Sequence, residues 1–366
     1  MGAFTVADRE YMARALALAA QGLFTATPNP RVGCVVVKDG RIVGEGFHAR
    51  AGLPHAEVNA LADARSRGID PRGATLYVTL EPCNHTGRTP PCTQAVIAAG
   101  AARVVAAMAD PNPEAAHGAA TLRAAGITVD IGLMEDEARE QNIGFVARVT
   151  RGRPWLRMKA AASLDGRTAL MSGESQWITG EAAREDGHRW RARACAVMTG
   201  IGTLLQDDPR LTVRAVSTPR QPLRIVVDRH GQTPASARVL EGGNALIVTA
   251  GERNPAWPKE VEMLALPDAQ GRVDLPALMR ELAERGINEL HVEAGGKLNG
   301  ALLAAGLVDE VLLYLAPAFL GDPARGVAEW PAPLARLSER IDLSLHAVDR
   351  VGEDLRIIAR PRVKEA

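Results

Sequence analysis

Pro54-His55-Ala56-Glu57-Val58, then Glu81-Pro82-Cys83, then Cys92 after eight further residues, is the stretch around which the chain is organised. Apolar Val58, Leu61 and Ala62 recur at helical spacing, so the run from His55 to about Arg67 is expected to be a helix. Pro54 suits its first turn, where a missing N–H costs nothing. His55 and Glu57 lie two residues apart, and at about 100° per residue they leave a helix body on nearly opposite sides. Both serve one centre only if that centre sits over the helix N-terminus. Ala74 to Leu80 is rich in strand formers, with Cys83 just past its end, and Cys92 directly precedes a helical stretch from Thr93 to Ala99. A thiolate near a helix start feels the positive end of the dipole, which lowers its pKa and favours metal binding.

Catalytic zinc takes three protein ligands and keeps a fourth position for water. His55, Cys83 and Cys92 supply three, and Glu57 is left over as a general acid/base. This is the His-x-Glu and Pro-Cys arrangement of zinc nucleobase deaminases, although their usual cysteine spacing is tighter. A purely structural zinc would need a fourth ligand, for which His85 and His48 are the available side chains.

The 366 residues exceed the usual size of a single core, so two domains are expected. Forty-three basic and forty-three acidic residues give a formal net charge of zero, which argues against a nucleic-acid-coating protein. The remaining cysteines, Cys34 and Cys195, sit in apolar surroundings and do not form a disulfide framework, which suits a reducing cytoplasm. No apolar run reaches the ~18–20 residues of a membrane span, and the N-terminus lacks signal-peptide order.

Along the first half, a helix is expected over Asp8 to Gln21 and a strand over Val32 to Val37. Asp39-Gly40 marks a hairpin turn into Ile42 to Phe47. After the metal stretch come a strand at Arg103 to Ala106, a helix near Glu114 to Ala125 and a strand at Ile127 to Asp130. Glu135 to Arg148 reads as one connecting helix. The alternation argues a layered α/β domain, and Arg151-Gly152-Arg153-Pro154 breaks the pattern, so the domains are expected at 1–150 and 151–366.

The second half opens with a strand at Trp155 to Ala162 and continues through a helix at Glu181 to Arg193. Strand-to-helix glycine turns fall at Gly200-Ile201-Gly202 and Gly295-Gly296. Such turns let backbone N–H groups approach a phosphate. Together with Trp177 in a polar loop they suggest a nucleotide pocket, while a tight turn is the plainer account of each alone. Arg191 and Arg193 on a helix face, and Asp207-Asp208-Pro209 with Arg214, read as solvated groups by themselves.

Taken together, the chain resembles the bifunctional riboflavin-biosynthesis deaminase/reductase family of bacteria. The resemblance rests on Asn29-Pro30-Arg31-Val32-Gly33, Pro54-His55-Ala56-Glu57, Thr79-Leu80-Glu81-Pro82-Cys83 and His85-Thr86-Gly87-Arg88-Thr89-Pro90-Pro91-Cys92. In the second half it rests on Ser163 to Thr168, Gly173 to Thr179, Asp207-Asp208-Pro209 and Val292-Glu293-Ala294-Gly295-Gly296. The eight-residue cysteine spacing is that family's own. The resemblance implies a cytidine-deaminase-like three-layer α/β domain followed by a dihydrofolate-reductase-like α/β domain with a mostly parallel sheet. It implies one zinc ion and NADPH, phosphoribosylaminopyrimidine substrates and a homo-oligomer, while the charge balance and the lack of a membrane-length apolar run lead us to expect neither nucleic-acid nor membrane partners. It places NADPH on Ala161, Trp177, Thr203, Asp207 and Gly295, Gly296, Lys297, Leu298, Asn299, Gly300 and Ala301. It places substrate on Ser175, Arg191, Leu211, Arg214 and Glu293, with Arg191 and Arg214 becoming phosphate or ribose contacts.

One departure stands out: Arg229 occupies a position where some relatives carry serine, and it faces either the 2′-phosphate of NADPH or solvent. Lys159 and Asp165 are the candidate proton sources for reduction. A zinc deaminase acting on nucleic acid or free nucleoside, with a non-catalytic nucleotide-binding second domain, is the competing reading. A zinc protein that binds nucleotide without turnover is a third.

Overall fold

The structure, a computed structural model, describes residues 4–86 and 90–362. Gly87, Arg88 and Thr89 of the cysteine-bearing motif lie outside the described residues. The chain divides into two compact units, Met1–Gly152 and Arg153–Ala366.

In the first unit, Thr5 and Asp8 form a reciprocal capping box that starts α1 (Val6–Ala19). Strands β1 (Gly33–Lys38) and β2 (Arg41–Phe47) form a hairpin whose turn residues, Asp39 and Gly40, both take positive φ, 51° and 70°. Next come α2 (Ala56–Ser66), β3 (Thr75–Val78), α3 (Cys92–Ala99), β4 (Arg103–Ala106), α4 (Gly118–Ala124) and β5 (Thr128–Ile131). The sheet runs β2-β1-β3-β4-β5, antiparallel through β3 and parallel from β3 to β5. Its core is built from Val35, Val36, Leu76, Val78, Val104 and Val105, all fully buried, with Met12, Leu61 and Leu122 from the helices.

The single connecting helix expected over Glu135 to Arg148 is instead two, α5 (Glu135–Gln141) and α6 (Ile143–Arg151). Asn142 interrupts them at φ −110°, ψ 20°. Its side chain accepts from Arg31 N at 2.7 Å and donates to Arg31 O at 2.9 Å, so it serves a strand entry rather than helical continuity.

The second unit contains β6 (Trp155–Ser163), β7 (Arg167–Ala169), α7 (Glu181–Arg193), β8 (Ala196–Gly200), α8 (Ile201–Asp207), β9 (Leu223–Val227), β10 (Ala245–Thr249) and β11 (Glu262–Ala265). It continues with α9 (Leu275–Glu284), β12 (Glu289–Glu293), α10 (Gly296–Ala304), β13 (Glu310–Ala316), β14 (Arg325–Gly326), β15 (Leu343–Val351) and β16 (Asp354–Pro361). The sheet order is β11-β10-β9-β8-β12-β6-β13-β16-β15, with β7 and β14 forming a separate pair. It is parallel from β11 to β13, and the last two strands are antiparallel. Buried on both faces, the parallel strands are apolar runs such as Leu246-Ile247-Val248.

The exception is a polar layer beneath α7. Arg157, fully buried, donates to Glu310 at 2.5 Å and Glu289 at 3.1 Å, while Arg193 and Arg360 complete the neutralisation. Trp190 of α7 covers the Arg157 guanidinium with its ring centroid at 4.4 Å. Every buried charge here is paired, as burial requires.

Candidate active sites

The first site forms where α2 and α3 begin. His55 is the N-cap of α2, in extended conformation, and Cys92 is the first residue of α3. The position of α2 is set by two glycines of β2: a Cβ on Gly44 would fall 2.2 Å from Ala60 O, and one on Gly46 2.5 Å from Ala60 N. The helix thus lies directly on the strand. Cys83, past β3, is drawn in by the α3 terminus, its Sγ accepting from Cys92 N at 3.4 Å.

The ligand atoms of His55, Cys83 and Cys92 all lie within 4.8 Å of one another, and they are the one such group among the described residues. His55 Nδ1 is 3.2 Å from Cys92 Sγ and 3.6 Å from Cys83 Sγ. Tetrahedral zinc, with bonds of about 2.0–2.3 Å, sets such N···S edges at roughly 3.6 Å. The three donors therefore fit zinc and leave one corner open. His48 does not fill that corner: its Nδ1 faces Pro54 O at 3.2 Å and its Nε2 faces Asn29 at 3.1 Å. Its ring packs edge-on against His55 at 5.0 Å, buttressing the ligand. The Cys83 thiol is lowered to about 4 by its hydrogen bond with Cys92, against burial and with help from His55. Cys92 is driven the other way by Cys83, by burial and by Glu57.

Glu57 is 3% exposed in the first turn of α2. Burial pushes its carboxyl up to about 7, the range suited to taking and returning a proton near neutrality. Glu81, by contrast, accepts from Ala119 N at 2.8 Å and Asp110 N at 3.1 Å and so braces the loop behind Cys83.

In the second unit, β8 and β12 are parallel neighbours, and each runs through a glycine into a helix: Gly200 into α8 and Gly295 into α10. The two turns touch, since a Cβ on Gly295 would meet Thr203 Oγ1 at 3.5 Å and one on Gly200 would meet Leu298 at 3.5 Å. Paired helix N-termini at the carboxyl ends of parallel strands make an anion cradle. Beside it, Arg191 makes a two-pronged contact with Glu293, one prong at 2.9 Å, and donates to Thr212 O at 3.1 Å. Lys159 Nζ lies 4.0 Å from Glu293. Burial pushes Glu293 up, but Arg191 and then Lys159 outweigh it and hold the carboxyl well below its ordinary range. Burial pushes the Lys159 ammonium down, with Glu293 opposing.

The model for the RibD C-terminal domain matches residues 154–356, and that for the cytidine and deoxycytidylate deaminase zinc-binding region matches residues 5–108. The riboflavin biosynthesis protein RibD of Escherichia coli K12 is 49% identical over 362 residues, covering 95% of this chain and 98% of that protein. The chain belongs to the RibD family. Among solved structures, Acinetobacter baumannii RibD superposes with a TM-score of 0.89 at 41% identity, covering 98% of this chain and 99% of the other. A Thermotoga maritima protein described as a diaminohydroxyphosphoribosylaminopyrimidine deaminase/5-amino-6-(5-phosphoribosylamino)uracil reductase gives 0.89 at 38%, covering 97% and 99%. The RibD pattern of an N-terminal deaminase domain followed by a reductase domain is thus present end to end.

Within this RibD frame the expected reductase residues separate into groups. Thr203, Gly295 and Gly296 line the cradle. Asn299 instead donates to Ala294 O at 3.1 Å and Val327 O at 2.9 Å, and Gly300 is tight against Glu329 O, so both anchor α10. Lys297, Leu298 and Ala301 are the neighbouring residues of α10, with Leu298 over Gly200. Asp207 closes the far end of α8. Ala161 lies on β6 opposite Tyr314. Trp177 is 69% exposed, with the Arg184 guanidinium over its ring at 4.6 Å, and Ser175 is half-buried two residues before it. Leu211 is buried as a whole residue, at 2% exposure.

Arg191 and Arg193, which read in isolation as solvated, are paired with Glu293 and with the buried Glu289. Arg229 donates to Gln270 O at 3.4 Å in an exposed setting. Asp165 accepts from Gly321 N at 2.8 Å and Leu320 N at 3.2 Å, a turn-bracing role, whereas Lys159 stands at the site. His188 is the residue here that sequence reading passed over. Its signal was a position one turn before Arg191 on the same helix face.

Proposed function

We propose that this RibD-family chain performs two consecutive reactions of riboflavin biosynthesis. The first is hydrolytic deamination of 2,5-diamino-6-(5-phosphoribosylamino)pyrimidin-4-one. The second is NADPH-dependent reduction of the ribosyl group to ribityl phosphate. The observation that carries the reading is the His55–Cys83–Cys92 donor set with a buried carboxyl, Glu57, over the same helix start.

Zinc held by His55, Cys83 and Cys92 would supply a water of lowered pKa at the open corner. Glu57 takes a proton from that nucleophile and returns it to the departing amine, which leaves as ammonia. Its buried setting excludes competing solvent protons, and His48 and the β2 glycines hold the geometry.

In the second unit the cradle of Thr203, Gly295 and Gly296 takes the cofactor phosphates, with Ala161, Trp177, Asp207, Lys297, Leu298 and Ala301 around it. NADPH held there would supply the hydride that reduces C1′ of the ribosyl group. As the C1′–O4′ bond opens, Lys159 delivers a proton to O4′, and Glu293 and Arg191 keep that ammonium oriented. Arg191 and Arg214 meet the substrate's phosphate or ribose, with Ser175, Glu293 and Leu211 beside them. Asn299 and Gly300 act by holding α10 in place.

The test is incubation of the purified protein with the diaminopyrimidinone phosphate, with and without NADPH. Ammonia should be released in both samples and cofactor oxidised only in the second; absence of both signals overturns the reading. We also propose a homo-oligomer without nucleic-acid partners. Sedimentation and an RNA or DNA gel-shift titration check those two points, and salt-dependent RNA affinity would favour the competing deaminase class. Among the described residues no helix is long and apolar enough to cross a membrane.

A further inference from the structure

The segment from Leu211 to Arg214 crosses the second unit's site under unusual constraint. Leu211 takes φ +52°, a left-handed conformation that an L side chain adopts at a cost, and this turn buries its side chain while sending the next residues past α7. Those residues run without sheet partners, so side chains satisfy their backbone. Gln221 accepts from Val213 N at 2.7 Å and donates to Val213 O at 3.0 Å. Arg191 donates to Thr212 O at 3.1 Å. Arg214 N donates to His188 Nδ1 at 3.3 Å. His188 and Arg191 are one turn apart on α7, so a single helix face grips both sides of Thr212–Arg214.

The Arg214 side chain is exposed and folds back on Thr212, its Nη1 3.2 Å from Thr212 Oγ1. It shares the Thr212 carbonyl with Arg191, and Lys159 Nζ lies 4.0 Å from Glu293. Arg191 and Lys159 both reach the Glu293 carboxylate, and Arg214 shares a carbonyl with Arg191, a grouping of cations suited to an anionic ligand. The bond to His188 is the one that ties the Arg214 backbone itself to α7, and with it the root of the Arg214 side chain.

We propose that His188 is a positioning residue for reduction: its Nδ1 latches the Arg214 backbone to α7 and so orients the Arg214 guanidinium toward the phosphorylated substrate. The inference rests on the reading of Arg214 as a substrate contact. Nδ1 as acceptor requires the proton on Nε2, which among the described residues has no hydrogen-bond partner.

The test uses the full-length enzyme, the deaminated phosphoribosylaminopyrimidine as substrate and saturating NADPH. Loss of one net hydrogen bond should make His188→Ala raise KM about three- to tenfold with kcat within about twofold. His188→Asn places an amide oxygen where Nδ1 stood and should restore KM, whereas His188→Gln, whose amide reaches the Nε2 position, should not. In an Arg214→Ala background, His188→Ala should add nothing further. An unchanged KM in folded His188→Ala overturns the latch, as does rescue by Gln in place of Asn. If Arg214→Ala itself leaves KM unchanged, the reading of Arg214 fails and takes the latch with it. Ammonia release from the diaminopyrimidinone by each preparation reports that the chain is folded.

Discussion

Glu57 and Glu81 show how one residue type acquires opposite duties. Both are buried, yet Glu81 receives two backbone N–H groups and braces a loop, while Glu57 faces the sulfurs of Cys83 and Cys92 and is pushed up to about 7. Glu57→Gln should retain stoichiometric zinc and lose deamination by about 10²–10⁴-fold, while reduction of separately supplied deaminated substrate survives. Elemental analysis and both rates check this. Lys159→Met, which removes the proposed proton donor and keeps the stem, should slow NADPH oxidation and leave ammonia release unchanged. Equal slowing of both reactions would contradict its placement in the second site. His188 makes a prediction about pH. Burial, then Arg191 and Arg214, lower its pKa to about 4 from the ordinary 6.5. Between those values the unfolded chain binds a proton that the folded chain refuses, so its contribution is whole above 6.5 and lost as pH falls toward 4. Urea unfolding of the second unit should weaken less steeply over that window in His188→Asn than in the parent.

At the scale of elements, α2 is the piece on which deamination depends, because its N-terminus carries His55 and Glu57 and its body lies on bare glycine. Gly46→Ala would place a methyl group 2.5 Å from Ala60 N, so the helix must lift. Overpacking of this kind costs about 1–3 kcal/mol. Thermal unfolding should fall accordingly, zinc content should drop, and reduction should persist. The periodicity of α2 and the turn chemistry of Asp39-Gly40 are local, so both were readable from residues within a few positions. The break between α5 and α6 was not, because the partner that makes Asn142 leave the helix is Arg31, 111 residues away.

For the whole molecule, the two units have separate cores, one built from β1–β5 with their helices and the other from the parallel strands around β12. Removing zinc with a chelator should therefore abolish ammonia release and lower the unfolding temperature of the first unit alone, with NADPH oxidation on deaminated substrate unaffected. Loss of both activities on chelation would show the reductase site to depend on the metal.

Sequence alone singled out His55, Cys83 and Cys92, whose ligand atoms the structure brings within 4.8 Å of one another, and the buried Glu57 at the same helix start. His55, Glu57, Cys83 and Cys92 are brought together by helix starts and a strand end that local periodicity predicts, and their chemistry is specific enough to stand without a partner list. It also determined the glycine turns at Gly200 and Gly295, since a strand-to-helix turn is a local event. Only tertiary structure decided what the charges of the second unit do. Arg191 meets Glu293 across 102 residues, and Arg193, Arg157 and Glu289 close a buried network. An isolated arginine on a helix face has the same local pattern whether water or a buried carboxylate lies beyond it. Which one does is fixed by the sheet register that sets Glu289, His291 and Glu293 of β12 against Trp155, Arg157 and Lys159 of β6.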